Sequence, residues 1–220
     1  MRQNTSTAVM ARRVEPPDSA DYFPTPPWAT RALVAHVIGP DLVAGKSCLE
    51  PACGEGHMAR PLGEFFASVA ASDGYDYGGN RVADFLSGGF DPVDWVITNP
   101  PFRLAERFVL RGLGLARVGV AMLCRGSFLE SERRHRALFA PHPLAVYAPF
   151  VERVPMFKGR LDPAGSTATA YAWFVWRQGG DPFLSRLVQI PPCRKALERP
   201  GDYGEAAPAW APAAGLFDKG

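Results

Sequence analysis

Four consecutive residues, Asn99, Pro100, Pro101 and Phe102, are suited to hold a planar molecule that carries an exocyclic amine. Asn99 offers a side-chain carbonyl oxygen as acceptor. Pro100 has no N–H, so only its carbonyl is on offer, and Pro101 drives Pro100 toward extended backbone. Phe102 provides a ring face on which a base can stack. The apolar stretch Trp95-Val96-Ile97 before them reads as a buried strand that ends by presenting these groups. A strand closed by a plain Asn-Pro turn would look the same locally, so the rest of the chain must decide.

A second set lies upstream. Glu50-Pro51-Ala52-Cys53-Gly54-Glu55-Gly56 follows a short strand pattern at 46–50 and leads into a helix pattern over 58–66. Strand, Gly-x-Gly turn and helix begin a nucleotide-type α/β site. The glycines allow a tight turn and close backbone approach, and the helix N-terminus favours an acidic group. Gly54, Gly56 and Ala59 also fit the dinucleotide fingerprint, which keeps a nicotinamide oxidoreductase in view. Glu50 and Pro51 are not residues such a site needs, and an oxidoreductase leaves 99–102 unexplained. Asp73 closes the next strand pattern, 68–72, at the position of a ribose-binding carboxylate. Asp84-Phe85 sits in a short apolar unit, 82–86. An acid beside a ring at a strand end can meet an adenine amine, or simply make a turn.

These groups need a scaffold that brings several strand ends together. Strand patterns recur at 46–50, 68–72, 94–98, 118–124, 144–148 and 170–176. The run 118–124 is apolar throughout, as expected of a strand covered on both faces of a parallel sheet. Helix patterns lie between them, at 103–115 and 130–139, and one precedes them at 29–37. The segment 21–28 is extended and aromatic, with Thr25 placed to cap the first helix and prolines in its first turn. The loop 152–162 mixes apolar, aromatic and basic residues, among them Met156, Lys158 and Arg160, a mixture suited to facing nucleic acid. Arg103 and Arg125 follow two of the strand ends and extend that basic set. Residues 1–20 read as a flexible arm, 21–177 as the catalytic domain and 178–220 as a Pro/Gly/Ala-rich tail that packs on the domain or stays loose.

The chain has 220 residues, 47% of them hydrophobic and 21% charged, the composition of an ordinary globular domain. No apolar run is long enough to span a membrane, and the N-terminus lacks a signal-peptide core. Cys48, Cys53, Cys124 and Cys193 have neither metal-finger spacing nor a disulfide framework, so no metal site and a cytoplasmic setting are expected. Net charge is only +2, yet 20 of the 24 basic residues are Arg. Arginine suits bidentate phosphate and base contacts; a GC-rich coding bias would produce the same excess.

In this order the motifs resemble the class I S-adenosylmethionine-dependent methyltransferases, and within them the small phage-type DNA adenine methyltransferases. The resemblance covers about 21–177. Tyr22-Phe23-Pro24-Thr25-Pro26 is similar to the family's cofactor-clasping segment, with Tyr22, Thr25 and Pro26 as contacts. Glu50 to Gly56 is similar to its cofactor loop, with Glu50, Pro51, Ala52, Gly54 and Gly56 as contacts. Asp73 falls at the ribose acid and Asp84-Phe85 at the element that meets the cofactor's adenine. Asn99-Pro100-Pro101-Phe102 is similar to the catalytic tetrapeptide, with Asn99 also beside the cofactor.

The resemblance implies a Rossmann-like α/β fold with a mainly parallel seven-stranded sheet, a C-terminal antiparallel hairpin and helices on both faces. It implies methyl transfer from S-adenosylmethionine to adenine in double-stranded DNA, with the base flipped out against Phe102 and Arg103, Arg125, Met156, Lys158 and Arg160 on the nucleic acid. Residues 86–93 are too few to hold a target-recognition domain. Specificity then falls to the 152–168 loop, the termini, a separate subunit or a homodimer. Methylation of RNA or of a protein glutamine, and a non-catalytic binding subunit with the cofactor fold, are the alternatives.

Overall fold

The apolar run at 118–124 lies in the longest strand of a single mixed sheet. The computed structural model describes residues 21–78 and 80–204. The expected arm at 1–20 and the end of the tail, 205–220, lie outside the described residues. The strands are β1 (Ser47–Glu50), β2 (Ser68–Asp73), β3 (Arg81–Val82), β4 (Val93–Thr98), β5 (Ala116–Arg125), β6 (Val146–Pro149), β7 (Tyr171–Arg177) and β8 (Arg186–Leu187). Their order is β3-β2-β1-β4-β5-β7-β6-β8. β1 pairs in parallel with β2 and β4, β2 with β3, and β4 with β5. β7 runs antiparallel to both β5 and β6.

The mainly parallel Rossmann-like sheet with its late antiparallel hairpin is as expected, with one correction. Among the described residues the sheet has eight strands, not seven. The extra one is β8, two exposed residues of the segment after Gln178 that pair in parallel with the edge strand β6.

Alternate residues of each central strand enter different cores, because successive side chains of a strand point to opposite faces. Trp95 and Ile97 of β4, Ala121 and Leu123 of β5, and Trp173 and Val175 of β7 join α1 (Pro27–Leu33) and α2 (Ala59–Leu62). Val96, Val120, Met122, Cys124, Phe174 and Trp176 join α3 (Ala105–Leu115) on the other face, with Leu138. Leu138 belongs to a π-type turn, His135–Phe139, that continues the short α4 (Glu132–Arg134). Helices therefore cover both faces.

Two helices differ from their sequence patterns. α1 begins at Pro27 and widens into a π-type turn over Val34–Ile38, which Gly39 ends at φ +98°. Thr25 makes no capping bond to α1, because its hydroxyl is engaged elsewhere. α2 stops at Leu62; the Phe65 and Phe66 N–H groups both turn back to the Leu62 carbonyl. The segment after β8 packs back on the domain: α5 (Arg194–Leu197) lies against α1, and Asp202 meets the buried Arg31.

Candidate active site

β1 sits at the point where the strand order reverses, with β2 on one side and β4 on the other. In open α/β sheets a crevice opens there, outside the carboxyl ends of the strands. A cleft of about 540 Å³, counted to its open mouth, lies at this point. Glu50 of β1, Asp73 of β2 and Asn99 after β4 line it, together with Asp21, Tyr22, Phe23 and Thr25 of the segment before α1.

Glu50 is 1% exposed, and its Oε2 has no hydrogen-bond partner among the described residues. Burial, and after it the nearby Asp73, pushes its carboxyl well above the ordinary range; Thr98 offsets only part of this. The turn that follows needs its glycines. Gly54 and Gly56 have φ of +50° and +81°, the left-handed region that costs other residues strain. A Cβ on Gly54 would stand 2.4 Å from Cε2 of Tyr22, so the Tyr22 ring lies directly on the turn. Tyr22 also meets the Tyr77 ring, with centroids 4.8 Å apart. Burial, then Asp73, pushes the Tyr77 hydroxyl up to about 12.

Asp73 holds this turn from the side. Its Oδ2 accepts from Gly54 N–H at 2.9 Å and its Oδ1 from Tyr75 N–H at 3.0 Å. Burial raises its pKa, and these N–H groups oppose the rise. His57 sits beside the turn as a neutral ring. The Arg60 guanidinium, which can only donate, lies 2.7 Å from Nδ1, leaving Nε2–H to donate to Glu55 at 3.2 Å. Burial and then Arg60 lower its pKa accordingly.

Asn99 is held by its amide nitrogen. Nδ2 donates to the Phe23 carbonyl at 2.8 Å and to Thr25 Oγ1 at 3.1 Å. Oδ1 is buried and has no partner among the described residues. A carbonyl can only accept, so the Phe23 oxygen dictates that the NH₂ end faces it. The amide oxygen is left as a fixed, unsatisfied acceptor. Phe102 N–H donates to Asp21 Oδ2 at 2.8 Å, and the Pro101 carbonyl accepts from Leu104 N–H. The Phe102 ring does not line the cleft. The Arg125 guanidinium lies 4.3 Å from its centroid, and the Phe23 and Tyr171 rings lie at 5.2 and 6.4 Å.

No family model matches the chain, and no curated protein is similar enough to count as a match. Solved structures share its fold. A Pyrococcus horikoshii protein proposed to be an RNA methyltransferase superposes with a TM-score of 0.55 at 15% identity, over 70% of this chain and 85% of that one. Magnesium protoporphyrin IX methyltransferase from Synechocystis, crystallised with S-adenosylmethionine, gives 0.50 at 15%, over 69% and 78%. A dimethyladenosine transferase from Plasmodium falciparum gives 0.51 at 12%, over 71% and 63%. This is the class I methyltransferase fold.

Within the methyltransferase fold, the residues singled out from sequence fall into three groups. Tyr22, Thr25, Glu50, Ala52, Asp73, Asn99 and Pro101 line the cleft, and Pro26, Pro51, Gly54, Gly56 and Pro100 are buried in the segments that build it. Arg103, Arg125 and Arg160 are exposed, and Lys158 is half-buried. Arg160 pairs with Asp162 at 3.6 Å. The loop carrying Lys158 and Arg160 is tied to the cleft by Gly159 N–H, which donates to the Tyr22 carbonyl at 2.9 Å. Met156 is buried behind Asn99, its Sδ 3.7 Å from Nδ2.

The third group is not brought to the cleft. Phe85 is 1% exposed and packs between Phe90 and Phe108 at 5.5 and 5.0 Å. Asp84 is exposed and accepts from Leu86 N–H, closing a local turn. Asp21, His57, Tyr75 and Tyr77 line the cleft without having been singled out. The available signal was the Tyr75-Asp76-Tyr77 run, one glycine after a strand-end acid.

Proposed function

We propose that this chain transfers a methyl group from S-adenosylmethionine to the exocyclic amine of adenine in DNA. The observation that carries this reading is the Asn99 amide, whose NH₂ is spent on Phe23 and Thr25 and whose oxygen is buried without a partner among the described residues. An unsatisfied buried acceptor costs about 1–3 kcal/mol, and an incoming N–H donor relieves that cost. The adenine amine is a weak nucleophile because its lone pair is delocalised into the ring. Asn99 Oδ1 and the Pro100 carbonyl, accepting its two hydrogens, favour a nitrogen with its lone pair out of that plane. Catalysis on this reading is positioning, without a strong base.

The cleft suits the methyl donor. S-adenosylmethionine, when bound, supplies an electrophilic methyl group on a sulfonium cation. Asp21, Glu50 and Asp73 line the cleft with carboxyl groups, Glu50 Oε2 lacks a partner among the described residues, and Gly54 lets the Tyr22 ring lie on the turn. Residues 51–56, Tyr22 and Asp73 would hold the donor.

Phe102 is the platform for the base. A base that stacks there must displace Arg125. An exposed cation–π contact is worth about 0.5–1 kcal/mol, less than the roughly 1–3 kcal/mol of base stacking on an aromatic ring. Arg125 lies over this ring and Arg103 follows it in sequence; with Lys158 and Arg160 of the β6–β7 loop they are assigned to the nucleic-acid backbone. Among the described residues no helix is long and apolar enough to cross a membrane, and no separate recognition unit is present. Target choice is assigned to the loop between β6 and β7, to a second copy or to a separate subunit.

A second reading, adenine in RNA, has two structures of similar fold behind it. One structure of similar fold is proposed to be an RNA methyltransferase, and another is named for dimethyladenosine. The deciding experiment supplies purified protein with radiolabelled methyl donor and offers DNA and RNA separately. Label on DNA adenine is expected. Label confined to RNA transfers the assignment to the second reading, and label on neither overturns both. Long-read mapping of modified bases in an expressing host then gives the target sequence.

A further inference from the structure

We infer that Thr25 is a positioning residue for Asn99, itself oriented by Met156, so that the segment before α1 and the β6–β7 loop together set which end of the Asn99 amide faces the cleft. The inference rests on the reading of Asn99 as the acceptor for the substrate amine.

Three chain segments meet at this point. Asn99 Nδ2 lies 3.1 Å from Thr25 Oγ1, and Thr25 Oγ1 lies 3.9 Å from Met156 Sδ. Thr25 and Met156 are 3% and 5% exposed, and Met156 Sδ also lies 3.7 Å from Asn99 Nδ2. The chemistry of each group fixes the direction of the chain. A hydroxyl both donates and accepts, and by itself would serve an amide in either orientation. A thioether sulfur carries no proton and only accepts. Facing Met156, the Thr25 hydroxyl spends its proton on sulfur and turns a lone pair toward Asn99. Asn99 must then present N–H to Thr25, as it does to the Phe23 carbonyl at 2.8 Å. Turned over, the amide would set its oxygen against the Phe23 carbonyl oxygen and its NH₂ against the amine it is to receive.

This arrangement accounts for two features. Thr25 stands one residue before the N-cap Pro26 of α1 yet makes no capping bond. Met156 is buried, beside Val154 and Pro155, in a loop that also carries the exposed Arg153 and Arg160. It also links substrate contact to chemistry, since Lys158 and Arg160 lie in the loop that supplies the sulfur.

The test uses the full-length protein without ligand and then with it. The Asn99 side-chain amide is assigned by nitrogen-15 NMR from its disappearance in Asn99→Asp. Thr25→Val keeps the volume and removes the acceptor, Thr25→Ser restores it, and Met156→Leu removes the sulfur. The expected result is an Asn99 amide protected from exchange in the unaltered protein and in Thr25→Ser, with protection lost in Thr25→Val and reduced in Met156→Leu. In methyl transfer, Thr25→Val lowers kcat by about 10²-fold, the scale of a small misplacement, with KM for the methyl donor unchanged, and Thr25→Ser restores it. Unchanged protection in Thr25→Val or in Met156→Leu overturns the inference. So does weaker donor binding in Thr25→Val with kcat intact, which makes Thr25 a direct cofactor ligand. If Asn99→Ala still transfers methyl groups, the functional reading fails, while the exchange measurement continues to decide the role of Thr25.

Discussion

The Gly54 N–H lies 2.9 Å from Asp73 Oδ2, which makes the turn after β1 and the end of β2 one hydrogen-bonded unit. Oδ1 of the same carboxylate accepts from Tyr75 N–H, so one side chain orders both cleft-forming loops. Hydrogen bonds to a charged group contribute about 1.5–3 kcal/mol. Asp73→Ala is expected to cost about 2–3 kcal/mol in urea unfolding on that basis, and to weaken methyl-donor binding by tenfold or more in calorimetry. Asp73→Asn, which keeps one acceptor oxygen, should fall between. Full affinity in Asp73→Ala would separate this acid from the donor site.

Glu50 gives the protein a specific pH dependence. Burial, with Asp73 second, holds its folded pKa well above the ordinary 4.5. Folding therefore binds its proton more tightly, and the stability this contributes is full below about 4.5 and is lost as pH rises toward the folded value. Asp73 shifts in the same direction but is present in both proteins to be compared. Glu50→Gln is neutral at every pH and lacks this slope. The melting temperature of Glu50→Gln minus that of the unaltered protein should grow from pH 5 to pH 8. A constant difference would show that Glu50 titrates alike in the folded and unfolded chain.

What could be read in advance was local. The Gly-x-Gly turn, the acid at Asp73 and Asn-Pro-Pro after an apolar strand are short-range patterns, and a parallel sheet must place their strand ends together. Features that depend on distant partners were not legible. Nothing around Arg31 announces an acid 171 positions later, so the segment after Gln178 gave no sign of docking there. Phe85 read as a ring for the cofactor because a two-residue strand does not reveal which way the next aromatic points; it points to Phe90 and Phe108. Thr25 read as a cap because its competing partner, Asn99, lies 74 positions away.

Arg31 is the anchor of that docking. It is 4% exposed and donates to Glu64, to both oxygens of Asp202 and to the Leu197 carbonyl. The Asp202 side chain is only 6% exposed, so loss of Arg31 leaves a buried charge uncompensated. Removing one partner of a buried pair costs about 3–5 kcal/mol. Arg31→Met should lower stability on that scale and open 178–204 to limited proteolysis. Adding Asp202→Leu should recover part of the loss, because the stranded charge is then gone; no recovery would mean that the Glu64 and Leu197 contacts dominate.

Gly54→Ala tests the contact between the turn and Tyr22, and it carries two separable costs. At φ +50° an alanine is strained by about 1–2 kcal/mol. Its Cβ would also stand 2.4 Å from the Tyr22 ring. That ring is not free to swing away, since the Tyr22 carbonyl is tied to Gly159 N–H and the ring rests on Tyr77. Gly54→Ala alone should therefore lose both stability and donor affinity. Gly54→Ala with Tyr22→Ala removes the clash and keeps the backbone strain. It should unfold at higher urea than the sum of the two single changes predicts, because residues in contact are not additive. Donor affinity should stay low in the double variant, since the ring that covers the turn is itself lost. Simple additivity in urea would mean that the ring and the turn do not touch in solution.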